Sequence, residues 1–200
     1  GTLIRQKRYC LILPFLCTAL FLRPLAIAFS IQFSSVYYVM IFSLFLILVC
    51  RNQMEQDGRY LMLHRVRKAH DENHDKWIGV GGKFEDRESP EDCARREVLE
   101  ETGLTLTDYR YCGIITFVSD QWETEYMHLF HATGFTGALR ECDEGVLEWV
   151  PIEQINALPA WEGDKIFLAL MQQNRPFFSL KLVYEGEHLA EAVLDGERIR

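Results

Sequence analysis

Residues Gly81–Leu104 read GGKFEDRESPEDCARREVLEETGL, and into these 24 residues the chain crowds six glutamates, two aspartates, three arginines and one lysine. The segment Ser89–Glu101 predicts a helix. Ser89 is suited to the N-cap, Pro90 to the first helical position, and Asp92 to the third position, as in a capping box. Gly103 supplies a left-handed stop just beyond. On such a helix Glu97, Glu100 and Glu101 stand at i, i+3 and i+4, so they project from one face, with Ala94 and Val98 beside them toward a core. Like charges at this spacing are unfavourable by about 0.2–0.5 kcal/mol per pair and raise one another's proton affinity. A solvated acidic helix is the bland account of that pattern. A hard divalent cation is the functional one, because bound Mg²⁺ or Mn²⁺ turns the repulsion into attraction. Gly82, at the mouth of the helix, allows the backbone to approach a ligand closely. Arg96 points to the flank, where it can hold Glu88.

Working outward, the flanking sequence alternates short elements with turn signals. Leu44–Cys50, LFLILVC, suits a buried first strand, and Arg59–Val66 a second strand after the Asp57-Gly58 turn. Lys68–Lys76 is a polar loop, and Trp77–Phe84 a strand edge entering the glycine turn. Strands are expected at Tyr111–Val118, Glu125–Phe135 and Leu147–Val150, and helices at Pro151–Leu158 and Asp164–Gln173. A last hairpin is expected from Phe177–Tyr184 and His188–Leu194. The class is α/β, a mixed sandwich.

Charge narrows the function. The formal net charge is −8, but the first fifty residues carry four basic side chains (Arg5, Lys7, Arg8, Arg23) and no acidic one. The remaining body is therefore strongly acidic, which argues against a groove that tracks a nucleic-acid polymer. A phosphate ligand would need cations to mediate its contact. The six cysteines show no CxxC pair, which argues against a zinc site and suits small apolar fillers in a reducing compartment.

The pattern G-x5-E-x7-R-E-V-x-E-E-x-G-L, from Gly82 to Leu104, resembles the Nudix box at every fixed position. The resemblance continues over roughly residues 44–195 and is greatest to the MutT-type branch, in particular the oxidised-purine nucleoside triphosphatases. It implies a Nudix fold, an α-β-α sandwich with a mixed β-sheet, spanning residues 44–200. It also implies Mg²⁺ (or Mn²⁺) held by Glu97, Glu100, Glu101 and the Gly82 carbonyl. Glu100 or Glu101 would orient or deprotonate the attacking water, Arg96 would support the cluster, and Lys83 would lie near the phosphates. CDEGVLEWV (142–150) resembles the segment that adds a metal contact, here Glu144. LPAWEGDKIF (158–167) resembles the segment whose tryptophan stacks on the base and whose acid reads its edge, here Trp161 and Asp164. On the residues alone, Trp161 serves equally as a packing residue and Asp164 as a helix cap. Two departures, Ile78 for a base-reading asparagine and Gly163 for the first of paired aspartates, touch base preference and not hydrolysis. The implied reaction converts a nucleoside triphosphate such as 8-oxo-dGTP to monophosphate and pyrophosphate. The alternatives are another pyrophosphate substrate, such as ADP-ribose or a dinucleotide, and a non-catalytic ligand sensor.

The first 43 residues stand apart as a hydrophobic extension. Tyr9–Leu22 is uncharged, and so is Pro24–Cys50, which is long enough to cross a bilayer. Residues 9–50 are thus compatible with a membrane anchor that leaves a cytoplasmic catalytic domain. They are also compatible with a signal peptide ending near Ala26-Ile27-Ala28, or with a non-native start ahead of Met40 or Met54.

Overall fold

The computed structural model describes residues 47–67 and 71–200. The expected segment at residues 9–46 lies outside them. Among the described residues no helix is long and apolar enough to cross a membrane.

The described residues form a mixed sheet whose strands are β1 (Ile47–Gln56), β2 (Arg59–His64), β3 (Trp77–Ile78), β4 (Leu104–Ser119), β5 (Glu125–Gly137), β6 (Val146–Pro151), β7 (Phe178–Glu185), β8 (His188–Leu194) and β9 (Glu197–Arg198). The order across the sheet is β3-β2-β1-β5-β4-β7-β8-β9, with β6 also paired to β2. Two pairings are parallel, β1 with β5 and β4 with β7. The other pairings run antiparallel, including the β1–β2 hairpin over Asp57-Gly58 and the β7–β8 hairpin over Gly186.

Strand alternation separates two cores. Tyr60 and Met62 of β2, and Met127 and Leu129 of β5, join Phe117, Leu180 and Leu182 on one face. Helix α2 (Glu162–Gln172) covers that face with Phe167, Leu168, Leu170 and Met171. Leu61, Met54 and Ala132 point the other way and meet Val98 of helix α1 (Pro90–Thr102), with Leu104 and Leu106. One helix on each face of a mixed sheet is the α/β layering expected from the sequence.

Helix α1 begins and ends as its sequence predicts. The Ser89 side chain accepts from the Asp92 N–H, the Asp92 carboxylate accepts from the Ser89 N–H, and Gly103 takes φ 77°. Elsewhere the boundaries moved. β4 starts at Leu104, seven residues before the expected Tyr111, because Leu104 and Leu106 alternate inward beneath α1 while pairing with Gly137 and Phe135. Register shifts between Leu106 and Gly113 disguise that half of the strand. Pro151–Leu158 forms a 3-10 turn (Ile152–Ala157) rather than an α-helix. β1 continues through Gln56, well past the apolar run that announced it.

Candidate active site

The glycine loop and α1 meet along one side of β1. The Cys50 N–H donates to the Gly82 carbonyl at 2.9 Å, and the Asn52 N–H donates to the Val80 carbonyl at 2.6 Å. A side chain at Gly81 would overlap the Cys50 carbonyl, and a Cβ at Gly82 would lie 2.5 Å from Glu97 Oε1. The Glu97 carboxylate therefore rests directly over the Gly82 backbone, a position that only glycine permits. The Gly81 N–H in turn donates to Glu101 Oε2 at 3.1 Å.

Arg96 ties the loop to the helix. Its Nε and Nη2 donate to the two oxygens of Glu88 at 2.6 and 2.9 Å, and Nη2 also donates to the Lys83 carbonyl at 2.9 Å. Its Nη1 reaches Glu97 Oε1 at 2.7 Å and Glu100 Oε2 at 3.0 Å. This bidentate pair holds the Glu88 carboxyl below the usual carboxylate range. The side chain thus fixes the loop 83–88 and bridges two of the candidate ligands.

Glu97, Glu101, Glu144, Gly81, Gly82 and Lys83 border one cleft of about 450 Å³. Glu100 does not; its side chain is 58% exposed and borders an adjoining groove, which Glu97, Glu101 and Glu144 also line. Burial raises the Glu101 carboxyl to about 8, with the neighbouring Glu144 and Glu97 charges adding to the effect and the Gly81 N–H opposing it. Burial also raises Glu97, partly offset by Arg96 and reinforced by Glu100 and Glu144. Glu144 pairs with Arg65, whose Nε donates to Asp71 Oδ2 at 2.8 Å. With Arg65 and Arg96 taking these oxygens, no three acidic, thiol or imidazole groups among the described residues are gathered at ion-holding distance. The donor set nonetheless fits a hard divalent cation. It is all oxygen, and the raised proton affinities mark negative charge that lacks full compensation.

This charge frustration gives an expected pH response. Between the ordinary 4.5 of a glutamate and about 8, folded Glu101 holds a proton that the unfolded chain has released. Its stabilising contribution is complete at acid pH and is lost as pH rises through about 8. Carboxyls depressed by partners, such as Glu88 and Glu162, act in the opposite sense but only below their unfolded values. In metal-free buffer the melting temperature should fall between about pH 5 and pH 8. Millimolar Mg²⁺ should raise it by several degrees at pH 8 and much less at pH 5. A magnesium effect equal at both values would detach the cation from these carboxylates.

A small recess beside the cleft, bordered by Trp161 and Asp164, was only partly visible in sequence. Trp161 is there, but buried, 7% exposed, with its ring edge-to-face against Tyr184 and Phe117 at centroid distances of 4.9 and 5.4 Å. Its Nε1 donates to Asn73 Oδ1 at 3.0 Å, and Lys76 Nζ sits 4.5 Å from the ring centroid. Asp164 does not cap α2; Trp161 is the N-cap residue, with no side-chain cap bond. Burial pushes the Asp164 carboxyl up to about 6 against the pull of Arg51 and Lys76. Ile78, 2% exposed, borders the main cleft as an apolar wall. Gly163 has a packing reason: a Cβ there would run into Leu182 and the Tyr184 hydroxyl, which accepts from the Gly163 N–H at 2.7 Å. Sequence reasoning missed Arg51, Arg65, Asp71, Glu72, Asn73 and Glu125, all of which line the cleft. Arg51 and Glu125 stand as charges within strand runs, and that misfit was the available signal.

The NUDIX domain family matches residues 44–171. The chain belongs to the Nudix family and is a Nudix hydrolase, one of a family that typically uses divalent metal. Among particular relatives, it is 39% identical over 122 residues to the oxidized purine nucleoside triphosphate hydrolase of Danio rerio, covering 60% of this chain and 78% of that protein. It is 30% identical to an uncharacterized Nudix hydrolase of Bacillus subtilis over 74% of this chain and 93% of the relative. The crystal structure of a mutator MutT protein from Bacillus halodurans superposes with a TM-score of 0.67 at 26% identity, covering 76% of this chain and 99% of that one.

Proposed function

We propose that this chain hydrolyses purine nucleoside triphosphates, 8-oxo-dGTP foremost, to the monophosphate and pyrophosphate, and so removes oxidised nucleotides from the precursor pool in the cytoplasm. The carrying observation is the cleft itself, in which a glycine loop, three inward carboxylates and Lys83 share one wall. The 39% identity to the Danio rerio oxidized purine enzyme supports the choice of base. Residues 44–200 are proposed as the catalytic domain.

In this proposal Glu97, Glu101, Glu144 and the Gly82 carbonyl would hold Mg²⁺, with Glu100 completing the set from the groove it shares with the other three glutamates. Bound divalent cations supply charge neutralisation for the polyphosphate and lower the proton affinity of a water molecule. The chain's own residues do the positioning on which phosphoryl-type substitution depends. Lys83, exposed at the cleft wall, meets phosphate oxygens. Glu101, its Oε2 fixed by the Gly81 N–H and its carboxylate kept ionised by a neighbouring cation, would take the proton of the attacking water at Oε1. Glu100, more exposed and paired with Arg96, is less suited to that task. Arg96 keeps Glu88, Glu97 and the loop in register. Attack at the β phosphorus is the family expectation.

The test is side-by-side hydrolysis of dGTP, 8-oxo-dGTP and ADP-ribose, with Mg²⁺ and with chelator, scoring pyrophosphate against phosphate. We expect pyrophosphate release, fastest from 8-oxo-dGTP and abolished by chelator. Preference for ADP-ribose would replace the substrate assignment. Phosphate plus a diphosphate from dGTP would replace the site of attack.

A further inference from the structure

Cys50 of β1 and Cys93 of α1 stand 43 positions apart in sequence, yet the Cys93 thiol donates to Cys50 Sγ at 3.0 Å. Both are free and buried. A buried cysteine is ordinarily a small apolar filler. Cys112 fits that description, with its thiol turned to the Arg110 carbonyl at 3.7 Å. Two thiols that face each other across the seam between a strand and the signature helix are a different matter. Sulfur beside sulfur is the arrangement from which a disulfide forms. That bond measures about 2.0 Å, so closing it from 3.0 Å draws the two elements together by roughly 1 Å.

The contact lies beneath the candidate cation site. The Gly82 carbonyl accepts from the Cys50 N–H at 2.9 Å and lies 3.8 Å from Cys93 Sγ. Glu97 follows Cys93 by one turn of α1 and rests over Gly82. Arg96, which bridges Glu88, Glu97 and Glu100, has its Nη2 3.8 Å from the same sulfur. Cys50 also borders the main cleft, the side from which a small oxidant reaches the pair. We propose that Cys50 and Cys93 are an oxidisable dithiol, a modification site for hydroperoxides, whose closure to a disulfide displaces Gly82 and Glu97 and disables the cleft. The Cys50 sulfur attacks one oxygen of hydrogen peroxide, the O–O bond breaks, and the departing hydroxide takes up the thiol proton to leave as water. The sulfenic acid so formed is attacked by the Cys93 sulfur, its S–O bond breaks, and a second hydroxide leaves as water with the Cys93 proton. The two sulfurs together lose two electrons and the peroxide gains two. In a reducing compartment such a bond is transient, which suits a switch better than a staple. The effect on turnover rests on the hydrolase reading above; the cross-link itself does not.

The experiment exposes the reduced full chain to hydrogen peroxide and maps the product by peptide mass spectrometry without reductant. Turnover of 8-oxo-dGTP and the rise in melting temperature produced by Mg²⁺ are read before oxidation, after it, and after dithiothreitol. We expect a Cys50–Cys93 link as the main product, a fall in turnover of about tenfold or more, a smaller Mg²⁺ response, and recovery of both on reduction. Without metal the linked protein should melt higher than the reduced one, because the bond closes a long loop. Cys50→Ala should match the parent when reduced and lose neither turnover nor Mg²⁺ response to the same dose. Cys93→Ala should leave Cys50 as a sulfenic acid that dimedone traps. The reversible cycle in the parent decides the matter even where an alanine variant folds poorly. Links to another cysteine, over-oxidation of Cys50 without a link, or thiols untouched at a dose that oxidises glutathione overturn the assignment. A Cys50–Cys93 link that leaves turnover and the Mg²⁺ response unchanged overturns it too. If the reduced parent does not hydrolyse 8-oxo-dGTP, the substrate reading falls, while the link and the Mg²⁺ response still decide this assignment.

Discussion

Glu101→Gln should slow hydrolysis by roughly 10²–10⁴-fold while leaving a folded protein that is more stable at pH 8 than the parent. The substitution removes one charge and almost no volume. A glutamine oxygen can still accept from the Gly81 N–H, so the loop keeps its anchor. What disappears is a buried carboxyl held at about 8 by desolvation and by Glu144. Removing an unfavourable charge stabilises, and removing a cation ligand that also serves as proton acceptor disables. Glu97→Gln should lose activity similarly, since Glu97 lies over Gly82 and is bridged by Arg96. Turnover at saturating Mg²⁺ and a thermal melt without it check both halves. If both variants keep near-parental rates, the ligand assignment has no support.

Trp161→Ala should cost about 3–5 kcal/mol of stability, in the range for emptying a large aromatic site. From sequence the residue was expected chiefly to weaken nucleotide binding, by about 1–3 kcal/mol through lost stacking. The structure adds a second and larger burden. The indole contacts Phe117 and Tyr184 edge-on, spends its N–H on Asn73, and lies beneath Lys76. Truncation also strands the Asn73 carbonyl oxygen, a buried acceptor. Chemical denaturation gives the stability change, and KM for purine triphosphates gives the binding change. Trp161→Phe separates the two, because it retains a stacking face and most of the packing but loses the Asn73 bond. A tryptophan whose removal alters KM alone would be a ligand platform and not part of the core.

The parts of the fold legible in sequence were those set by local chemistry. Ser89, Pro90, Asp92 and Gly103 each demand a backbone state, and α1 obeys all four. The β7–β8 hairpin followed from a glycine between two alternating runs. The early half of β4 was hidden because its pairing with β5 slips around Asp108 and Tyr111, and bulges erase the period of two. The same division holds in the site. Spacing on one helix placed Glu97, Glu100 and Glu101 on a common face, and all three do line one groove, but the pairing of Glu100 with Arg96 depends on side-chain partners. Arg65, Glu72 and Glu125 come together from the loop after β2 and from the start of β5, elements that are joined only by tertiary contact. No periodicity announces such a meeting, although a charge amid strand residues invites the question.

The parallel pairing of β1 with β5 governs how the chain must be made. Ile47–Met54 wait for Glu125–Ala132, so the central seam of the sheet cannot close until some eighty further residues have left the ribosome. Until then β1 is half of a hairpin with a long unpaired apolar margin, the kind of surface that recruits neighbouring chains. Expression fragments that stop after α1 would carry the entire signature segment and yet precipitate, and slower synthesis or a chaperone that shields the nascent hairpin would improve the yield of the whole.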